Sequence, residues 1–275
     1  MTRSVTFAAR RVQQTVSSFD NGPRLLVDLA RQAVTGRPEE ITFRTRDGAS
    51  ITIPNRPGAR VPIYEIFVED EYRIDWFTSD LGESPVALDI GAHVGCFAVA
   101  FARRHPGSRV DAYEASPSTA AYLTRNVDDN HLTGRVNANH LAVQAVAGQL
   151  ELADNGAASG HNGVLHLSEG GPTVTVQSVA MSEALHVSGR SADLVKIDTE
   201  GGEYDMVLGS DPADWSGVRR VVLEYHNLPG HSWEQLEEFF TRAGLSLIRR
   251  DRFSTGLGMA WLSRDPLVDP SPITD

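Results

Sequence analysis

Two groups of residues have types and spacing suited to chemistry on a bound nucleoside. In the first, the apolar run Val86-Ala87-Leu88-Asp89-Ile90 ends in Gly91-Ala92-His93-Val94-Gly95 and passes directly into the apolar stretch Cys96 to Ala102. A strand, a glycine turn and a helix in that order let the backbone approach a ligand closely, with the N–H groups of the helix start facing it. Asp89, near the end of the strand, can accept from a ligand's ammonium group or an ordered water. Glu114 falls at the end of the next expected strand, where a carboxylate can take both hydroxyls of a ribose. The turn is Gly-x-x-x-Gly and lacks the GxGxxG of a dinucleotide fingerprint, which disfavours a nicotinamide cofactor. His93 reads as a turn residue rather than a catalyst. The second group is Lys196, Asp198, Glu200, Glu224 and His226, acidic residues and two bases gathered near the ends of two later strands.

The elements that must position these residues follow from the patterning. Strands at 85–90, 109–114 and 135–142 alternate with helices at 95–105 and 117–129, and the rhythm resumes with strand 192–198, helix 202–209, strand 218–225 and helix 232–243. Such alternation predicts a mostly parallel sheet with helices on both faces. Between the two halves, residues 148–178 are polar and glycine-rich with short alternating runs (Leu150, Leu152; Leu165, Leu167; Val174, Val176), read as antiparallel excursions. Final strands near 246–250 and 257–262 predict a C-terminal hairpin closing one sheet edge. Strand 192–198 should lie between 85–90 and 218–225, which brings Asp89, Asp198 and Glu224 to one carboxyl edge, where open α/β sheets bind ligands. Lys196, two residues before Asp198, shares its strand face.

Upstream, Leu25, Leu26, Leu29 and Val34 predict amphipathic helices broken near Gly22-Pro23 and ended by Gly36 and Pro38, a cap or dimer contact. Ile41 to Ile53 alternates around Asp47-Gly48, a hairpin signal. Pro62 to Phe77 is aromatic and acidic, and Tyr64, Phe67, Tyr72 and Trp76 are candidates for a lid or acceptor wall. The expected division is 1–80 as helical cap, hairpin and lid, 81–265 as the cofactor-binding domain, and 266–275 as a frayed proline-rich tail.

Composition narrows the partners. A chain of 275 residues with 41% apolar content can bury a full core. A net charge of -11 offers no electrostatic footprint for nucleic acid. The sole cysteine, Cys96, excludes an intrachain disulfide and a cysteine-rich metal site. No apolar run approaches the roughly 20 residues of a membrane span, and the N-terminus lacks a signal-peptide pattern. The expectation is a cytoplasmic protein, without nucleic-acid or membrane partners, that acts on a small molecule. Lys196 is the sole lysine, and a compact ammonium suits a crowded central strand better than a guanidinium.

The motifs resemble those of the FkbM-type S-adenosylmethionine methyltransferases. Asp89 to Gly95 is similar to that family's cofactor turn, Tyr113-Glu114-Ala115-Ser116-Pro117 to its ribose strand, and Asp193-Leu194-Val195-Lys196-Ile197-Asp198-Thr199-Glu200-Gly201-Gly202-Glu203 to its most distinctive motif. The similarity runs from about Tyr64 to about Trp261. Two positions depart: His93 stands where the family more often has asparagine, and Met181-Ser182-Glu183 replaces its usual Leu-Asp-Asp. The resemblance implies a Rossmann-like class I methyltransferase fold with a seven-stranded sheet, S-adenosyl-L-methionine as cofactor, and O-methylation of a secondary metabolite or sugar hydroxyl. It implies cofactor contacts at Asp89, Gly91, Ala92, His93, Gly95, Glu114, Ala115, Ser116 and Asp198.

Methyl transfer to an unactivated hydroxyl needs in-line approach and a group that takes the proton. His226, titrating near neutrality, is the first candidate for that base, Asp198 would orient the cofactor's methionyl part or the acceptor, and Glu200 and Glu224 compete as bases or orienters. Glu224 has the alternative of an ion pair with Arg219 or Arg220. Lys196 should neutralise the carboxylates and fix Asp198. Asp198, Glu224 and His226 are also ligand types for Mg²⁺, although a metal-free site is preferred. N- or C-methylation, and a cofactor-binding protein without turnover, remain the other readings.

Overall fold

The computed structural model describes residues 2–56, 58–160, 162–164, 167 and 170–269. Helices α1 (Thr2–Ser18) and α2 (Gly22–Thr35) precede the hairpin β1 (Glu40–Arg44) and β2 (Ser50–Pro54), and α3 (Val61–Phe67) and α4 (Ile74–Phe77) follow it. The α/β rhythm then runs β3 (Val86–Ile90), α5 (Cys96–Arg104), β4 (Arg109–Tyr113), α6 (Pro117–Asp129) and β5 (Val136–Asn139). An insertion contributes β6 (Ala142–Gln144), β7 (Gly148–Ala153) and β8 (Thr173–Ala180), followed by α7 (Met181–Ala184) and the two-residue strands β9 (His186–Val187) and β10 (Arg190–Ser191). The chain closes with β11 (Leu194–Ile197), α8 (Glu203–Leu208), β12 (Arg220–Tyr225), α9 (Trp233–Arg242), β13 (Ser246–Ser254) and β14 (Leu257–Ser263).

The main sheet has seven strands in the order β13-β14-β12-β11-β3-β4-β5, with β12, β11, β3, β4 and β5 mutually parallel and β14 antiparallel to β12. The β13–β14 hairpin closes one edge, as the pattern predicts. Period-two alternation splits the apolar side chains of the central strands between two faces. Ala87, Val110, Leu194, Val222 and Trp261 face one cluster, with α5 and α6. Val86, Leu88, Ile90, Val195, Ile197 and Leu223 face the other, with α7, α8 and α9. Strands covered on both sides read as continuous apolar runs, which is why their positions were legible.

The N-terminal eighty residues share the first of these cores. Phe19, Leu25, Ile41, Phe43, Ile63 and Tyr64 lie in the same cluster as α5, Leu123 and Val127. The hairpin is attached by two amides one turn apart, Asn126 on α6 and Asn130 at its C-terminal cap. Asn126 accepts from the Thr52 N–H at 2.8 Å and donates to the Thr52 carbonyl at 3.0 Å, while Asn130 does the same to Ser50 at 2.9 and 2.7 Å. These side chains satisfy main-chain groups of β2 on the side away from β1.

Two expectations change. The segment expected as one strand at 135–142 divides: β5 ends at Asn139 and β6 joins β7 and β8 in a separate three-stranded sheet of order β6-β8-β7. There β7 and β8 are antiparallel, as expected, but β6 is parallel to β8; the Leu165 run falls partly outside the described residues. The start of the expected frayed tail is tied down, because Arg73 and Arg249 both pair with Asp269 and the Trp76 indole N–H donates to the Val268 carbonyl. Residues 270–275 lie outside the described residues. No helix among the described residues is long and apolar enough to cross a membrane.

Candidate active site

A cavity of about 600 Å³ opens at the carboxyl ends of β3, β4, β11 and β12, walled on one side by α3 and on another by residues 158–160 and 162–164. That volume is ordinary for a site enclosing a small ligand.

The glycine turn forms its floor. Gly91 has φ +73, and a Cβ there would stand 1.7 Å from the Asp198 carbonyl oxygen, so no other residue fits between the two strand ends. Gly95, at φ +89, abuts Leu123 instead and does not line the cavity; its role is strand–helix packing. The first three N–H groups of the turn, ahead of the helix start, are bonded within the protein. Gly91 and Ala92 both donate to the Tyr113 carbonyl, at 3.0 and 2.9 Å, and the His93 N–H donates to Glu114 Oε2 at 2.8 Å. These bonds lock the turn to the end of β4, a rigid platform rather than an anion cradle. Ala92 and His93 line the cavity. His93 adopts φ +53, and burial drives its imidazole down to about 4, so it is neutral at physiological pH.

Glu114 also accepts from the Ser116 N–H at 2.8 Å through Oε1, and it lines the cavity with Ala115. Each oxygen thus holds one backbone donor and keeps lone-pair capacity for ligand hydroxyls. Burial, only partly offset by those two N–H groups, raises its pKa to about 7. Ser116 is fully buried as the N-cap of α6, accepting from the Thr119 N–H, and does not reach the cavity; its expected cofactor contact is corrected to a structural one.

Asp89 requires a larger correction. Its carboxylate is completely buried and does not line the cavity, so it cannot meet a ligand's ammonium group. It faces Lys196, whose Nζ lies 3.2 Å from Asp89 Oδ1 and 3.7 Å from Asp198 Oδ2 and donates to the Gly91 carbonyl at 2.8 Å. One ammonium therefore links the buried carboxylate, the cavity carboxylate and the turn. Burial raises Asp89 above the usual aspartate range against the pull of Lys196. At Asp198 burial acts in the same direction, but the charges of Lys196 and His226 and the Tyr72 hydroxyl, donating at 3.0 Å, hold the group below its ordinary value. Asp198 is thus an ionised carboxylate in the cavity wall.

The other expected catalytic groups sit beside it. Glu200 and Glu224 line the cavity, and Glu200 takes an unusual φ of +51. Glu224 has no arginine partner, since Arg219 and Arg220 pair with Asp80 and Asp265; burial and the neighbouring Asp198 raise it to about 8. His226 is buried behind this wall and does not line the cavity. Its Nδ1 lies 3.1 Å from Glu203 Oε1, and its Nε2 lies 3.5 Å from Glu200 and 4.0 Å from Glu224. Although burial opposes the charge, the Glu203 hydrogen bond and the surrounding carboxylates raise the imidazole to about 9. With its charge favoured and its ring outside the cavity lining, His226 meets the carboxylates of the wall rather than the space a ligand would occupy. Asp198, Glu224 and His226 do place ligand atoms within 4.8 Å of one another. In this arrangement the ring's own proton already supplies a cation among the carboxylates.

Of the aromatic candidates, only Tyr72 lines the cavity. Tyr64 packs on Phe19 and Phe43 and shares a 2.7 Å hydrogen bond with Thr15, and Trp76 stacks near Phe77. Glu65, from α3, also faces the cavity and was not anticipated as a site residue; burial raises its pKa to about 8.

Residues 89–247 match the profile described as the Methyltransferase FkbM domain. The chain is 27% identical over 217 residues to the 31-O-demethyl-FK506 methyltransferase FkbM of Streptomyces tacrolimicus, covering 69% of this chain and 83% of that protein. It is 26% identical over 250 residues to methyltransferase sdnD of Sordaria araneosa, covering 80% and 93%. Among solved structures, TYW2 of M. jannaschii in complex with AdoMet superposes with a TM-score of 0.46 at 15% identity, covering 84% of this chain and 90% of that one.

Proposed function

Because the chain belongs to the FkbM methyltransferase family, we propose that it transfers the methyl group of S-adenosyl-L-methionine to a hydroxyl oxygen of a small-molecule natural product or saccharide. The observation that carries the choice of oxygen is Asp198, a carboxylate kept ionised in the cavity wall with Tyr72 fixing one of its oxygens.

The residues present suit the cofactor. Glu114 and Ala115 would hold the ribose end, Gly91 to His93 provide a floor without side-chain bulk at Gly91, and the acidic edge suits a cationic sulfonium. When bound, S-adenosyl-L-methionine supplies an electrophilic methyl group. The protein's own task is then to orient a hydroxyl and take its proton as the new O–C bond forms. On this reading Asp198, which lines the cavity, accepts that proton. Its low proton affinity makes it chiefly an orienting acceptor until positive charge develops on the attacking oxygen. N-methylation is a second reading, favoured by the carboxyl groups Glu65, Asp198, Glu200 and Glu224, which line the cavity in addition to Glu114 and would hold an amine.

The test is transfer of a labelled methyl group to a panel of paired alcohols and amines. A labelled ether with wild type, lost at least about a hundredfold in Asp198→Asn, supports the proposal. Labelled amine products, or cofactor binding without transfer to any acceptor, would overturn it.

A further inference from the structure

Glu203 opens α8 and is completely buried, yet both of its oxygens are fully used. Oε1 accepts the main-chain N–H of His226 at 2.7 Å and lies 3.1 Å from the ring Nδ1. Oε2 accepts the Gly201 N–H at 3.0 Å and the Thr199 hydroxyl at 3.4 Å. Three donors and the His226 ring nitrogen converge on this carboxyl group, and moving it would strand buried N–H groups.

His226 is consequently gripped at two points. Nδ1 is directed at the Glu203 carboxyl group, and the opposite nitrogen, Nε2, faces Glu200 and Glu224. The bonds to Gly201 and Thr199 flank Glu200 itself, whose left-handed backbone needs support from its neighbours. We propose that Glu203 is a positioning residue for the acceptor edge: its buried carboxylate fixes the orientation and Nδ1–H form of His226, and His226 in turn holds Glu200 and Glu224 at the cavity wall. The charged groups facing the ring are Asp198 and Glu200 from the loop after β11, Glu203 from α8 and Glu224 from β12. The proposal rests on reading this edge as the place where the acceptor lies. Neither Glu203 nor His226 lines the cavity, so the effect falls on turnover and not on cofactor capture.

The decisive measurement is the ¹⁵N spectrum of the histidine side chains, taken on the full chain with S-adenosylhomocysteine at pH 7.5. Wild type should show His226 with a protonated, slowly exchanging Nδ1. In Glu203→Gln the amide cannot satisfy all four donors, and that proton should exchange about tenfold faster or more, whereas Glu200→Gln should retain it. An unprotonated Nδ1 in wild type, or unchanged exchange in Glu203→Gln, overturns the proposal, and the wild-type spectrum decides even if the variant does not fold. In methyl-transfer assays on the acceptor found by the panel, Glu203→Gln and His226→Asn should lower kcat alike with KM for S-adenosylmethionine unchanged, and the double variant should lose no more than either; additive losses refute a shared route. Wild type that transfers no methyl group would instead defeat the functional reading, leaving the Nδ1 signature to judge Glu203.

Discussion

Replacing Lys196 by methionine keeps the length of the side chain and removes one charge. The ammonium is 4% exposed and its nearest anion, Asp89, is completely buried, so the substitution leaves a carboxylate in the interior with no counter-ion. Breaking a buried pair by removing one partner costs about 3–5 kcal/mol. The lost hydrogen bond to the Gly91 carbonyl adds to that and loosens the turn under the cofactor. For a chain of this size the loss corresponds to a fall in Tm of roughly 10 °C.

The deficit should depend on pH with a definite sign. Burial already holds Asp89 above its unfolded value, so the folded state binds the extra proton, and stability falls as pH rises through the window between the unfolded and folded pKa values. Removing Lys196, which pulls in the opposite direction, moves the upper edge of that window higher. Lys196→Met should therefore be mildly destabilised near pH 5, where Asp89 can take up a proton, and most destabilised near pH 8. Urea unfolding at both pH values measures this directly. Adding Asp89→Asn should recover about 2 kcal/mol at pH 8 by removing the orphaned charge. A single variant within about 1 kcal/mol of wild type at pH 8, or a double variant less stable than the single one, would refute the reasoning.

Gly91→Ala should lose at least about 3 kcal/mol, because its Cβ would overlap main-chain atoms of Asp198 that cannot swing aside; thermal unfolding and calorimetry with S-adenosylhomocysteine would both register it. With Glu114 raised to about 7, its ionised form dominates only above neutrality, so cofactor affinity should rise about tenfold between pH 6 and pH 8, and Glu114→Gln should bind weakly with that dependence removed. Methyl transfer should survive exhaustive chelation and dialysis, since the imidazolium of His226 already sits among the carboxylates that Mg²⁺ would need; activity lost to chelator and restored by Mg²⁺ would show the opposite.

The sheet and most of its order were legible because parallel strands covered on both faces show as apolar runs separated by helical periods, and Asp47-Gly48 marked the hairpin. What escaped was determined by depth and by distant neighbours. Lys196 and Asp198 share a strand face by period two alone, and Asp89 is the partner of Lys196 on the neighbouring strand, but whether that face at Asp89 meets the cavity or the core depends on α5 lying over it. Ser116 follows Glu114 closely, yet two residues turn a cavity wall into a helix cap. For His226 the strand end was correctly located, while the group that decides its protonation, Glu203, arrives from a different element and shows in sequence only as one more acid in a motif. The aromatic segment misled in the same way: Tyr64 and Trp76 are consumed by packing against α1 and the C-terminal segment, and only Tyr72 turns inward.

The corrections converge on how charge is distributed at the carboxyl edge. Asp89 and Glu203 are both fully buried, and each is matched to a base, Lys196 and His226. Those bases are placed so that the side of each not used by its buried partner faces the cavity wall, toward Asp198 in one case and Glu200 in the other. Two buried carboxyl groups thereby orient two bases, and those bases set the state of the carboxylates that a ligand would meet. Asp198 is held below its ordinary value by Lys196 and His226, whereas burial and the neighbouring Asp198 draw Glu224 upward to about 8. The consequence is an edge with one committed negative charge beside groups that can still hold protons. Such an edge can receive a cationic methyl donor without placing three anions side by side.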